Sequence, residues 1–217
     1  MPSVVAGHSL GEFSALVADG VLAFSDAVRI VRLRGQAMQG AVPVGEGAMA
    51  AVLGLDDEAI NTICAEASVN GDTQVFAVNF NSPGQVVIAG HAAAVQIASV
   101  ALKAAGAKRI LPLPVSAPFH TPLMQPAAVI LEEALADVSV ADAQMPVISN
   151  VDAGPHVSSA SIAQLLVKQV VAPVQWTACV QHMISMGGTA FIECGPGRVL
   201  SGLLLSLIHI SEPTRPY

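Results

Sequence analysis

Charge is scarce in this chain: Asp, Glu, Lys and Arg together make up 12% of its 217 residues, and only nine of these are Lys or Arg. Binding nucleic acid requires clustered cations to neutralise phosphates, and scattered cations in a chain of net charge −7 exclude that class. Long hydrophobic runs are also missing. Apolar residues reach 53%, yet no uncharged stretch approaches the roughly 18–20 residues of a membrane span. The high mean hydropathy therefore belongs to a soluble protein with fully buried strands. Cysteine is rare and odd in number: Cys64, Cys179 and Cys194 have no metal-ligand spacing and read as reduced thiols of a cytoplasmic protein without a metal site. No signal peptide opens the chain, because Met1-Pro2-Ser3 runs directly into the apolar residues 4–6. A start inside what reads as a buried central strand suggests that the natural protein begins earlier.

Residues 4–6, Gly7 and an amphipathic stretch over 11–19 read as strand, sharp turn and helix. A second helix is predicted over 25–39, with Ser25 as its N-cap, Asp26 in its first turn and Gly40 as its stop. From 48 the order changes to strand (48–55), helix (56–68), two strands (75–80 and 85–89) joined at Asn81-Ser82-Pro83-Gly84, helix (91–105) and strand (108–115). That β-α-β-β-α-β order is ferredoxin-like. Thr121 as N-cap, with Pro122 at the first helical position, then launches a helix to about 137, followed by a strand at 146–149, helices at 158–171 and 176–186, and a buried strand at 189–194. The predicted class is α/β: a parallel-sheet, hydrolase-like core over 1–42 and 114–205, with an inserted ferredoxin-like small domain over 43–113. Residues 206–217 follow no periodicity, resemble a translated adapter sequence and are set outside the fold.

Gly7-His8-Ser9-Leu10-Gly11 matches Gly-x-Ser-x-Gly between an apolar strand and a helix, the context that lets a serine oxygen project from a tight turn. The backbone N–H of Leu10, at the helix start, faces the position where an oxyanion would develop. A chance Gly-Ser turn is the plainer alternative. Serine needs a base, and six histidines are available. His8 should point away from Ser9, His91 and His182 lie in helical stretches, His156 in a Gly-Pro loop and His209 in the tail. His120 differs, because Ser116-Ala117-Pro118-Phe119-His120 places it between a strand end and a helix start. Arg34 falls on the apolar stripe of helix 25–39 with Ala27, Ile30, Val31, Ala37 and Met38. A cation on a buried stripe wants an anion: either a substrate carboxylate such as malonyl, or a structural Asp or Glu. By its position alone, Gln169 reads as a solvated residue near a helix end.

Together, Gly7-His8-Ser9-Leu10-Gly11-Glu12, Arg34-Gly35-Gln36-Ala37-Met38-Gln39, Asn79 to Gln85, Ser116 to His120, Pro173-Val174-Gln175-Trp176 and Gly195-Pro196-Gly197 resemble the malonyl-CoA:acyl carrier protein transacylase family of fatty-acid and polyketide synthesis. The resemblance implies Ser9 as the acylated nucleophile, His120 as its base and Arg34 as the partner of the malonyl carboxylate. It also implies that the main-chain carbonyl of Gln169 orients the histidine in place of a triad acid. The implied partners are malonyl-CoA and acyl carrier protein, with no cofactor, metal, nucleic acid or membrane, for a monomer serving fatty-acid biosynthesis. Family members begin several dozen residues earlier, with a strand and a Gly-Gln-Gly loop whose glutamine adds a second oxyanion donor, so the chain is expected to be truncated at both ends and poorly active.

Two other functions share some of these features. A serine esterase or thioesterase expects an acid between serine and histidine, for which Asp56, Asp57 and Asp72 are the candidates. A non-catalytic carrier-protein docking fragment needs no complete oxyanion hole.

Overall fold

A computed structural model describes residues 2–68 and 73–211, without the side chains of 208–211. The chain opens with β1 (Val5–Ala6), turns sharply and enters α1 (Leu10–Ala18) and α2 (Phe24–Gly40). Then come β2 (Gly47–Leu53), α3 (Asp57–Ala67), β3 (Val75–Ser82), β4 (Gln85–His91), α4 (Ala92–Ala104) and β5 (Arg109–Pro112). A 3₁₀ turn (Pro122–Met124) leads into α5 (Gln125–Ala136), followed by β6 (Val147–Ile148), α6 (Ser159–Val171), α7 (Trp176–Ser185) and α8 (Val199–Ser211). No helix among the described residues is long and apolar enough to cross a membrane.

The fold is mixed α/β, with two sheets among the described residues. β1 and β6 pair in parallel, Val5 beside Val147 and Ala6 beside Ile148. The other sheet is antiparallel, in the order β3-β4-β2-β5. Its hairpin between β3 and β4 turns at Pro83-Gly84, where Gly84 takes a φ of 73° that a side chain disfavours. On one face, Val52 and Ile88 are closed by Ile60 of α3 and Leu102 of α4, all fully buried. The opposite face, with Met49, Val78 and Val87, packs against Phe119. His120 is thereby brought to the seam between this sheet and the helices α1, α2, α5 and α6, whose own core contains Phe13, Leu16, Ile30, Leu131 and Leu166.

Local chemistry explains most boundaries. Asp56 caps α3 by accepting from the Ala59 N–H at 2.8 Å. Ser158 and Ser161 form a reciprocal capping box at the start of α6. Three expectations need correction. Helix α2 starts one residue before Ser25, with Ala23 at its N-cap and no side-chain cap. Thr121 precedes the 3₁₀ turn but its hydroxyl donates to the Pro118 carbonyl at 2.7 Å instead of capping. Residues 189–194 form no strand and pair with none of the described strands, and Ile192 is 89% exposed. Glu193 instead caps α8, accepting from the Leu200 and Ser201 amides. Helix α8 runs across the break expected at 206, with Leu207 buried in the cluster of Trp176 and Val180. Residues 212–217 and Asp72 lie outside the described residues.

Candidate active site

The turn between β1 and α1 is tight enough to determine its own sequence. A Cβ on Gly7 would stand 1.9 Å from the Gly11 carbonyl oxygen, so only glycine fits there. Ser9 is held at φ 53° and ψ −105°, a strained conformation for a residue with a side chain. Strain of about 1–3 kcal/mol persists only where the surroundings over-determine it. Here the Ser9 amide donates to Asn150 Oδ1 at 2.6 Å and the Ser9 carbonyl accepts from Gln169 Nε2 at 3.0 Å. Asn150 Nδ2 also donates to the Gly7 carbonyl at 2.8 Å. The Leu10 N–H is the first of α1, at the end of a helix where amides have no intrahelical carbonyl to serve.

His120 stands at the end of the loop after β5, also with a positive φ of 63°. Its Nε2 lies 2.8 Å from Ser9 Oγ, and its Nδ1 lies 2.8 Å from the Gln169 main-chain carbonyl. A carbonyl only accepts, so the proton of the neutral ring sits on Nδ1 and the Nε2 lone pair faces the serine. Burial, and after it the Arg34 charge, pushes His120 down to about 3. The ring is therefore neutral at pH 7, with its Nε2 lone pair toward Ser9 Oγ.

Arg34 reaches the same point from α2. Its Nη2 donates to Ser9 Oγ at 2.9 Å and to Gln169 Oε1 at 2.8 Å, and the Phe13 ring lies under the guanidinium at 5.7 Å. The side chain is buried, and no carboxylate among the described residues comes within ion-pair distance of it. Its Nε, also buried, has no hydrogen-bond partner among the described residues. Burial lowers Arg34 to about 10, with the nearby Glu12 charge opposing that shift, and the group stays cationic at neutral pH. A desolvated guanidinium attracts anionic groups strongly and matches a carboxylate in bidentate fashion. Arg29 and Arg32, on the same helix, are exposed, and Arg29 pairs with Asp26.

Three polar residues at the site carry no signal in the sequence pattern. Glu12 reads as an ordinary acid in a helix first turn, yet it is fully buried. His156 sits in a Gly-Pro loop but donates its Nε2 proton to Glu12 Oε1 at 2.8 Å, in a pair sealed from solvent. Asn150 follows β6 without any motif around it. Gln169 was legible only through resemblance and only for its carbonyl; its fully buried side chain links Glu12, Ser9 and Arg34. His8 points away from Ser9, to Asn81 at 2.8 Å and onto the Trp176 ring. Asp56 is spent on its helix cap, and neither it nor Asp57 bonds His120. Among the described residues no group of three His, Cys, Asp or Glu side chains is placed to hold a metal.

A serine on a sharp strand-to-helix turn, a neutral histidine and a buried arginine meet on a mixed α/β frame, and residues 1–206 match the family model of the acyl transferase domain. The chain belongs to that family. Within it, the chain is similar to the malonyl CoA-acyl carrier protein transacylase of Escherichia coli O157:H7, being 52% identical over 208 residues that cover 95% of this chain and 66% of the relative. The malonyl CoA-acyl carrier protein transacylase of Coxiella burnetii superposes with a TM-score of 0.94 at 45% identity, covering 98% of this chain and 66% of that one. A solved complex of a type II PKS acyl-carrier protein with its malonyl-transacylase aligns with a TM-score of 0.93 at 50% identity, covering 96% of this chain and 67% of that one. The chain thus spans about two thirds of the length of the curated relatives it matches.

Proposed function

We propose that this chain carries the site of an acyl-carrier-protein S-malonyltransferase, moving a malonyl group from coenzyme A to the phosphopantetheine thiol of acyl carrier protein through a malonyl ester on Ser9. The observation that carries this reading is the buried Arg34 guanidinium, without a carboxylate of its own, 2.9 Å from Ser9 Oγ. His120 Nε2 takes the serine proton as Oγ attacks the thioester carbonyl. The tetrahedral oxyanion accepts from the Leu10 N–H, the thioester C–S bond breaks, and the departing thiolate takes the proton from His120. The carrier thiol then gives its proton to His120 and attacks the ester; the ester C–O bond breaks, and Ser9 Oγ takes that proton back from His120. Arg34 binds the malonyl carboxylate throughout, and the Gln169 carbonyl holds the histidine as a triad acid would in a hydrolase. That carbonyl, in place of an Asp or Glu, disfavours the esterase reading.

The sheet order β3-β4-β2-β5, with α3 and α4 on one face, supports reading residues 43–113 as a ferredoxin-like unit inserted into a hydrolase-like core of 1–42 and 114–205. The test of function is covalent loading. Incubated with malonyl-CoA, the protein gains one malonyl group on Ser9, seen by mass spectrometry. Arg34→Ala loses the preference for malonyl over neutral acyl thioesters by about 10–100-fold, as expected for a charge-assisted bond. Undiminished preference in Arg34→Ala rules out the carboxylate role.

A further inference from the structure

We propose that Glu12 is the positioning residue of this site, setting which end of the Gln169 amide meets Arg34 and anchoring the loop that holds Ser9. The inference rests on the transferase reading above. A carboxylate can only accept hydrogen bonds. Glu12 Oε2 accepts from Gln169 Nε2 at 2.7 Å and from the Asn150 main-chain N–H at 3.1 Å, while Oε1 accepts from His156. With the amide nitrogen of Gln169 drawn to Glu12 and to the Ser9 carbonyl, its Oε1 is left facing Arg34 at 2.8 Å. The reverse orientation would set an NH₂ against a guanidinium, donor against donor.

Asn150, held at its own amide by Glu12, grips the Ser9 N–H and the Gly7 carbonyl with its side chain. One carboxylate thereby stands behind the contacts to both ends of the Ser9 residue. It also supplies the negative charge near Arg34 at one remove, through Gln169. A direct ion pair would occupy the guanidinium; the relay leaves it available to a substrate carboxylate.

The full chain and its Glu12→Gln, Glu12→Asp and Gln169→Met variants are loaded with malonyl-CoA and separately with acetyl-CoA, and acyl-Ser9 is followed by mass spectrometry. Ser9 is also labelled with a fluorophosphonate, which needs no acyl donor. In Glu12→Gln the three donors of Gln169, Asn150 and His156 meet one oxygen instead of two. With His156 keeping its Nε2 proton, the new NH₂ opposes the Gln169 amide and turns its oxygen away from Arg34, and malonyl loading falls about tenfold more than acetyl loading. Glu12→Asp keeps an acceptor-only group and retains the wild-type malonyl-to-acetyl ratio. Gln169→Met removes the amide but keeps the main-chain carbonyl for His120, and gives the same selective loss even where Glu12→Gln does not fold. Equal losses for both acyl groups in these two variants overturn the proposal. A wild-type Ser9 that takes the fluorophosphonate but no malonyl group overturns the transferase reading instead. The proposal is then judged by the labelling rate, which drops about tenfold in Glu12→Gln if it holds and is unchanged if it does not.

Discussion

The interior beneath the four-stranded sheet and the interior behind Ser9 are both closed to water, yet they are built from opposite materials. Under the sheet, Val52, Ile60, Ile88 and Leu102 meet apolar neighbours and need only fill space. Behind Ser9, Glu12, Arg34, His120, Asn150, His156 and Gln169 are all buried, and most of their polar atoms are spent on one another. Apolar packing is non-directional and tolerates small changes of shape. A buried polar network has a fixed polarity of donors and acceptors, and losing one member strands its partners. The second interior is therefore the costlier and the more exacting.

This contrast can be broken most severely at its centre. Ser9→Ala removes the atom shared by His120 and Arg34, and acyl loading of the protein falls to the background seen by mass spectrometry. Next is Gly7→Ala, whose methyl group would meet the Gly11 carbonyl at 1.9 Å and force the turn open. A nucleophile displaced by about 1 Å loses on the order of 10²-fold in rate, measurable as fluorophosphonate labelling of Ser9.

A smaller effect separates the two interiors by acid. His120 is pushed down to about 3 in the folded protein, against the ordinary 6.5 of a free histidine. Below about pH 6.5 the unfolded chain takes up a proton that the folded chain refuses, so stability falls as pH drops toward 3; above 6.5 this contribution is constant. His8, also lowered by burial, adds in the same direction. Urea midpoints therefore fall between pH 7 and pH 5, and fall less steeply in His120→Gln. The mildest change is Ile88→Val under the sheet, costing about 0.5–1.5 kcal/mol in urea unfolding while leaving the labelling rate of Ser9 unchanged.

Much of the fold was legible because its signals are local. The strand-turn-helix around Ser9, the apolar stripe carrying Arg34 and the hairpin at Pro83-Gly84 each lie within a few residues of one another. The strand expected at 189–194 failed for a non-local reason: an apolar run becomes a strand only beside a pairing edge. His156 and Glu12 were passed over because each looks ordinary within its own neighbourhood, a loop histidine and a first-turn acid, while their partners lie 144 positions apart.

Read alone, the sequence determined that a serine would stand on a sharp turn at a helix start, that Arg34 would face inward, and that His120 would occupy a loop of the kind that builds sites. Only the tertiary structure decided that Ser9 and His120, separated by 111 positions, meet at 2.8 Å, and that Arg34 arrives without a carboxylate of its own. Periodicity records which face of an element is buried. It holds no record of which polar groups from distant elements will share that burial, because their pairing is settled by desolvation when the chain closes around them.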